Sequence, residues 1–300
     1  MGKISDMQKW RKDSMCIISF LKWFSYIFTG IIVFILLLRF VLSHLSSNPP
    51  VNQTTKTCLI TGASSGLGRA LAVEMVKQGW KVIGIGLRAE LLNELQKQLG
   101  EQSFIPYVCD VSNREDVHHA SDEMKTKGLQ PTLFFLNAGI PLREEKGKVS
   151  AADHQRIFAT NYLGVVVWID EWLNAVQTYG GGTFVATSSI SALASMPNSA
   201  AYGASKVALL SCFKSLQLQY KKDNVCFSVV ALGEVATETF NPNIFYKIQK
   251  GEKLSFIQSL FVHLPEDDAR YIVKQVFNGK KQIESSWLCS AVARLISWWQ

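Results

Sequence analysis

Thr57-Cys58-Leu59-Ile60-Thr61-Gly62-Ala63-Ser64-Ser65-Gly66-Leu67-Gly68 is the stretch on which the reading of this chain turns. Its first five residues are apolar or β-branched and read as a short buried strand. Three glycines follow at Gly-x-x-x-Gly-x-Gly spacing, and a helix is expected from about Arg69 to Gln78. A glycine-rich turn between strand and helix lets backbone N–H groups and the helix N-terminus approach a pyrophosphate. Gly62, Ser64, Ser65, Gly66, Leu67 and Gly68 are therefore candidate cofactor-binding residues. A tight structural turn would share the spacing. No Gly-Lys-Ser/Thr follows, which excludes a phosphate loop of the nucleoside-triphosphatase kind.

Outward from this turn, strand and helix alternate. Strands are expected at 81–86, 104–109, 133–136 and 183–187, with helices at 89–99, 114–127, 149–177 (in one or two pieces) and 202–220. A sixth strand at 225–232, a helix at 265–278 and a short strand at 282–285 complete the pattern. Such alternation implies an α/β fold with a Rossmann-like, doubly wound parallel sheet and ligand at the C-terminal strand edges. Gly62, Asp110, Asn137 and Ser189 all fall at those edges.

Near the last of these edges stands Tyr202-Gly203-Ala204-Ser205-Lys206. Four residues apart on a helix, Tyr202 and Lys206 share a face. A free phenol titrates near 10, and lowering it to about 7 takes roughly 4 kcal/mol. A fixed ammonium supplies part of that by favouring the phenolate. Ser189, at the strand end, is placed to hydrogen-bond a substrate oxygen as charge develops there. The trio suits proton transfer to or from an oxygen on carbon.

The 300 residues are 48% hydrophobic and 18% charged, and much of the apolar excess is local. Residues 23–42 are almost wholly apolar, and twenty residues of helix span about 30 Å, enough for a bilayer core. No small-residue cleavage site follows, so the stretch reads as an uncleaved anchor. Lys3, Lys9, Arg11, Lys12 and Lys22 precede it, which puts the N-terminus in the cytosol and the main domain across the membrane. Asn52-Gln53-Thr54 is a glycosylation acceptor that fits a lumenal domain. The 6 cysteines show no disulfide framework. The expected organisation is a basic segment (1–22), a transmembrane helix (23–42), a linker (43–55), a single catalytic domain (56–286) and an apolar tail (287–300).

Lys and Arg number 31 against 24 acids, yet five of the cations precede the anchor and no aromatic-basic interleaving appears. Nucleic acid is not an expected partner; a membrane surface is. His118-His119 has no metal-ligand companion at useful spacing, so no metal is expected.

Taken together, Thr61 to Gly68, Asn137-Ala138-Gly139, Asn161 in Asn-Tyr-Leu-Gly, Ser189 and Tyr202-x-x-x-Lys206 resemble the short-chain dehydrogenase/reductase family over about residues 55 to 285. The resemblance implies a catalytic tetrad of Asn161, Ser189, Tyr202 and Lys206. Tyr202 would be the acid/base, Lys206 the holder of the nicotinamide ribose, Ser189 the carbonyl ligand and Asn161 the anchor of a water-mediated proton relay. It also implies cofactor contacts from Asp110 and Val111 (adenine), Asn137, Ala138 and Gly139 (ribose side), and Val235 and Thr237 (carboxamide side). Leu232 stands where the family usually has proline before that last turn. Leu232-Gly233 with Thr237-Glu238-Thr239, plus the anchor, is similar to the 11β-hydroxysteroid dehydrogenase group.

After the second strand comes Gly86-Leu87-Arg88, with an arginine and no acid. A carboxylate there would suit NAD, a cation a 2′-phosphate, so NADP(H) is favoured over NAD(H), with Arg88, Ser64 and Ser65 as its ligands. Residues 239–264 cover substrate in the family, and here they are apolar, which suits either a lipophilic substrate or folded core helices. The tail at 287–299 suits a membrane interface or a dimer contact. The expected protein is a single-pass endoplasmic-reticulum oxidoreductase interconverting ketone and secondary alcohol on a steroid, retinoid or keto-lipid, with a homodimer as a candidate assembly. A catalytically silent nucleotide-binding membrane scaffold is the alternative.

Overall fold

In the computed structural model the described residues are 23–31, 33–34, 48–49, 51–141, 148–220, 223–255, 258 and 261–299. They fall into two units, 1–47 and 48–300. In the first, residues 23–31 and 33–34 are helical. The rest of the expected span, 32 and 35–42, lies outside the described residues, and among the described residues no helix is long and apolar enough to cross a membrane.

The second unit is built on the alternation that the sequence implies. Strands β1 (Thr57–Thr61), β2 (Lys81–Gly86), β3 (Phe104–Val108), β4 (Leu133–Leu136), β5 (Gly182–Ser189), β6 (Val225–Leu232) and β9 (Gln282–Glu284) form one sheet in the order β3-β2-β1-β4-β5-β6-β9. Every neighbouring pair is parallel. The strand order reverses between β1 and β4, which is where a doubly wound sheet opens a crevice for ligand.

Both faces of the sheet are covered, because successive strand side chains point to opposite sides. Cys58 and Ile60 join one core with α1 (Gly66–Lys77), α2 (Ala89–Leu99) and α8 (Pro265–Phe277). Leu59 joins the other, with α3 (Arg114–Thr126), α5 (Gly164–Thr178) and α6 (Ala200–Gln219). In that second core Phe134, Phe184 and Phe227 occupy matched positions on β4, β5 and β6. Their rings stack at 4.6 and 5.5 Å between centroids. This aromatic row stiffens the three strands whose ends carry Asn137, Ser189 and the turn at Gly233.

Several boundaries differ from the sequence expectation, each for a physical reason. Helix α1 starts at Gly66, three residues early, since its first turn faces the crevice and glycines there are needed for close approach rather than propensity. Strand β5 runs on to Ser189, where it stays in register with Leu232. The expected helix at 149–177 is α4 (Ala151–Phe158) and α5 joined through a π-helical turn, Ala159–Leu163. A two-stranded parallel ribbon of β7 (Glu234–Val235) and β8 (Val262–His263) brackets α7 (Pro242–Gln249), none of which the sequence pattern resolves.

The compositional linker at 43–55 is partly absorbed by the domain. The Asn48 N–H donates to the Gly279 carbonyl at 2.6 Å, and Val51 is buried in the first core. Asn52 Nδ2 donates to the Gly181 and Tyr179 carbonyls at 3.0 and 3.4 Å. The tail likewise belongs to the fold. Residues 287–299 form α9 (Trp287–Trp299), with Cys289, Ser290 and Ala293 buried and Leu295, Ile296 and Trp298 exposed.

Candidate active site

The crevice is assembled from strand ends. Thr61, closing β1, is buried, and its Oγ1 accepts the N–H groups of Asn137 and Ala138, both at 2.9 Å. One hydroxyl thereby fixes the end of β4 against the end of β1. Gly62 and Gly66 lie at φ +70° and +53°, a region that disfavours any side chain. A Cβ on Gly68 would sit 2.1 Å from the Gly62 carbonyl oxygen. Ser65, the residue before α1, does not cap the helix with its hydroxyl. First-turn N–H groups of α1 are thus left to an anion.

At the end of β2, Arg88 reaches back over this turn. Its guanidinium donates to Ser65 Oγ at 2.5 Å and to Ser64 Oγ at 3.5 Å. Sequence-distant residues singled out for one phosphate therefore meet. Asp110, past the end of β3, accepts from the Ser112 N–H and hydroxyl at 2.9 and 2.7 Å. Val111 follows it with its side chain in the core.

The tetrad also converges. Lys206 is 2% exposed; its ammonium donates to the Thr187 carbonyl at 2.8 Å and lies 5.5 Å from the centroid of the Tyr202 ring. Gly139 keeps the approach open, since a Cβ there would lie 3.3 Å from Asn161 Oδ1 and 3.4 Å from Lys206 Nζ. Thr187 Oγ1 donates to Asn137 Oδ1 at 3.2 Å, joining β5 to the β4 end. Ser189 is near enough to the Tyr202 phenol for hydrogen bonding to pull its pKa down. Its Oγ also accepts the Ser191 N–H at 3.2 Å.

Asn161 sits in the π-helical turn, fully buried, and its amide is committed. Oδ1 accepts the Ile140 N–H at 2.8 Å, while Nδ2 donates to the Ile140 carbonyl at 3.1 Å and to Ser205 Oγ at 3.3 Å. Ser205 in turn donates to the Tyr202 carbonyl at 2.7 Å. The side chain thus ties the cofactor-side turn to the helix that carries the tyrosine. π-Helical turns cluster at functional sites, and this one is placed accordingly.

Burial dominates the electrostatics. Tyr202 is partly covered as a residue, yet burial pushes its phenol up to about 12, with the Ser189 hydrogen bond pulling the other way. Burial brings Lys206 down to about 8. The protein by itself therefore holds Tyr202 protonated.

On the far side of the crevice, Thr237 is buried, and its methyl would lie 3.0 Å from a Cβ on Gly66. Its Oγ1 accepts the Phe240 N–H at 3.2 Å. Val235 is buried one turn earlier, on β7. The Phe240 ring faces Tyr202 at 6.1 Å between centroids. Thr187 and Ser205 are site residues that sequence reasoning passed over, while Thr61 entered only as the start of the glycine motif and Phe240 only within the apolar segment 239–264, neither with a role of its own. Away from the crevice, Glu171 comes within 3.2 Å of His118, whose other ring nitrogen is 3.3 Å from Asp122. Lys125 lies 3.5 and 3.6 Å from the same two carboxylates and supplies their counter-charge.

Residues 56–244 match the family model for short chain dehydrogenase. The chain belongs to the short-chain dehydrogenase family, oxidoreductases that act on CH–OH groups with a nicotinamide dinucleotide. The uncharacterized oxidoreductase YbbO of Escherichia coli (strain K12) is 31% identical over 191 residues, 63% of this chain and 69% of that one. A short-chain dehydrogenase/reductase from Burkholderia phymatum, solved in complex with NAD, superposes with a TM-score of 0.69 at 22% identity, covering 80% of this chain and 92% of that one. An alcohol dehydrogenase from the archaeon Thermococcus sibiricus, complexed with 5-hydroxy-NADP, gives 0.65 at 20% identity over 76% and 94%.

Proposed function

We propose that this chain is a membrane-anchored, NADP(H)-dependent oxidoreductase interconverting a ketone and a secondary alcohol on a lipophilic molecule such as a steroid, retinoid or keto-lipid. The convergence of Ser189, Tyr202 and Lys206 at one strand edge carries the reading. Preference for the 2′-phosphate is supported by Arg88 meeting Ser64 and Ser65 with no carboxylate in the Gly86-Leu87-Arg88 segment. An apolar substrate is supported by Phe240 beside the catalytic phenol, whereas Ile244, Ile248 and Leu254 behind it pack with Ala236 and Val262 as a small core, the use that folded helices make of such residues. The anchor rests on the apolar run at 23–42, and a lumenal, endoplasmic-reticulum location on the basic residues before it.

The residues present fit the dinucleotide: the glycine turn leaves room for backbone approach, and Arg88 with the two serines offers a cationic, hydroxyl-rich end. When bound, the nicotinamide supplies the hydride for reduction or takes it up in oxidation. In reduction, Tyr202 donates its phenolic proton to the substrate oxygen while the Ser189 hydroxyl hydrogen-bonds the same atom. The Lys206 ammonium stabilises the phenolate left behind. Oxidation runs these transfers backwards.

The test uses membranes containing the wild type or Tyr202→Phe, supplied with NADPH and a total lipid extract. Mass spectrometry should find a species that gains two hydrogens only with the wild type. Loss of the general acid should lower the rate by about 10²–10⁴-fold. Nucleotide binding without turnover in either direction would refute an enzyme and favour a nucleotide-binding scaffold.

A further inference from the structure

His263 and Asp268 form an ion pair outside the tetrad. The imidazole Nδ1 lies 3.0 Å from Asp268 Oδ1. Asp268 belongs to the first turn of α8 and is 2% exposed; its other oxygen, Oδ2, is buried with no hydrogen-bond partner among the described residues. A buried carboxylate with one bare oxygen needs a cation beside it. His263 is half-buried and is the ring that faces it.

The pair's position gives it a role. His263 ends β8, in register with Val235 on β7, and its carbonyl accepts the Ala236 N–H at 2.9 Å. The next residue, Thr237, is the one whose methyl lies against Gly66 of the cofactor turn. The return strand of the substrate-covering lobe is thus pinned to α8 at the point where its outgoing strand meets the glycine turn.

We infer that His263 and Asp268 are positioning residues for the cofactor: their ion pair holds the β7–β8 ribbon, and through it Thr237, against the glycine turn, and the hold slackens when the imidazole loses its charge. This rests on the proposed binding of a nicotinamide nucleotide at that turn. The hydrogen bond to Asp268 is the main reason that the His263 pKa lies above its ordinary value, opposed by burial and aided by Asp267. Asp267 is itself paired with Arg270. On the facing strand, the Glu234 carboxylate accepts from Asn241 Nδ2 at 2.6 Å. The charged residue of α9, Arg294, is committed to Glu284.

A raised histidine pKa fixes the sign. The hold is complete below the ordinary histidine value of about 6.5 and is lost as pH rises through the higher folded value.

The test measures the NADPH dissociation constant of the full chain by nucleotide fluorescence from about pH 6 to about pH 9, for wild type, His263→Gln and Asp268→Asn. Wild-type affinity should fall about tenfold more across this range than that of His263→Gln, the scale of one charge-assisted hydrogen bond. Titration of Lys206 near 8 affects all three alike and cancels in the difference. Asp268→Asn, which leaves the imidazole no anionic partner, should flatten the profile as His263→Gln does. Amide exchange across residues 238–255, corrected for intrinsic rates, should quicken at high pH in the wild type alone. Superimposable wild-type and His263→Gln profiles, or a wild-type pH dependence kept in Asp268→Asn, would overturn the inference. Absence of NADPH binding at every pH would instead remove the cofactor reading beneath it, and the exchange measurement would still report whether the pair holds the lobe.

Discussion

Replacing Thr61 with valine removes one oxygen and leaves the shape of the side chain unchanged. That oxygen accepts two backbone N–H groups, from Asn137 and Ala138, each at 2.9 Å, in a site where Thr61 is 2% exposed. No cavity opens, so the loss is polar in origin. The Asn137 N–H keeps a second acceptor, the Phe135 carbonyl at 3.0 Å, so only the Ala138 N–H is left bare, and one buried donor without an acceptor costs about 1–3 kcal/mol. For a domain of this size each kcal/mol lowers the melting temperature by about 2–4 °C, so a fall of about 2–12 °C is expected. Urea and thermal unfolding of wild type, Thr61→Val and Thr61→Ser measure it directly. Thr61→Ser, which keeps the hydroxyl, should recover most of the loss. A valine variant melting within about 1 °C of wild type, or a serine variant as unstable as valine, would refute the reasoning, since either result would mean that the hydroxyl is not what satisfies those amides.

Arg88→Ala should weaken NADPH binding by about ten- to a hundredfold while changing NADH affinity little, because the guanidinium is the cationic end of the Ser64–Ser65 cluster. Equal losses for both nucleotides, read by equilibrium titration, would detach Arg88 from the 2′-phosphate. At Asn52, the acceptor nitrogen of the glycosylation triplet already donates to two carbonyls, and its oxygen takes the Thr54 N–H and hydroxyl at 2.9 and 2.5 Å. Translation into microsomes should therefore give a folded chain whose mobility glycosidase leaves unchanged, and Asn52→Asp should destabilise it by about 1–3 kcal/mol. Full glycosylation with unaltered stability would show that those hydrogen bonds contribute nothing.

The central sheet was legible because both of its faces are buried and its strands are bounded by glycine, proline or acid-rich turns. Cys58, Leu59 and Ile60 form one continuous apolar run, as a strand covered on both faces requires. The grouping of Ser189, Tyr202 and Lys206 was legible because one sits at a strand end and two share a helix face, where spacing predicts position, whereas Asn161 in its π-helical turn entered only through the family resemblance. What escaped depends on tertiary contact. Two-residue strands such as β7 and β8 carry too little pattern to register, so the ribbon and α7 read only as an apolar stretch. The π-helical turn at Ala159–Leu163 is one extra residue within a helical composition, and only Asn161 bonding to Ile140 and Ser205 reveals it. The partner of His263 lies five residues on, across the turn into α8, and the charge balance of that pair depends on burial that no spacing expresses.

The protonation state of the crevice bears on direction. At neutral pH a phenol held at about 12 is protonated and an ammonium held at about 8 is charged. Ionising that phenol at pH 7 would take about 7 kcal/mol, at 1.36 per pH unit. The Lys206 ammonium, 5.5 Å from the ring centroid, offsets part of that cost. Alcohol oxidation needs the phenolate before it can begin, and the protein alone does not provide it. Ketone reduction needs a protonated phenol beside a cation that will receive the phenolate. Those are the states in which Tyr202 and Lys206 stand in the protein alone, so the further lowering of the phenol that oxidation needs would have to come from the positive charge of an oxidised nicotinamide.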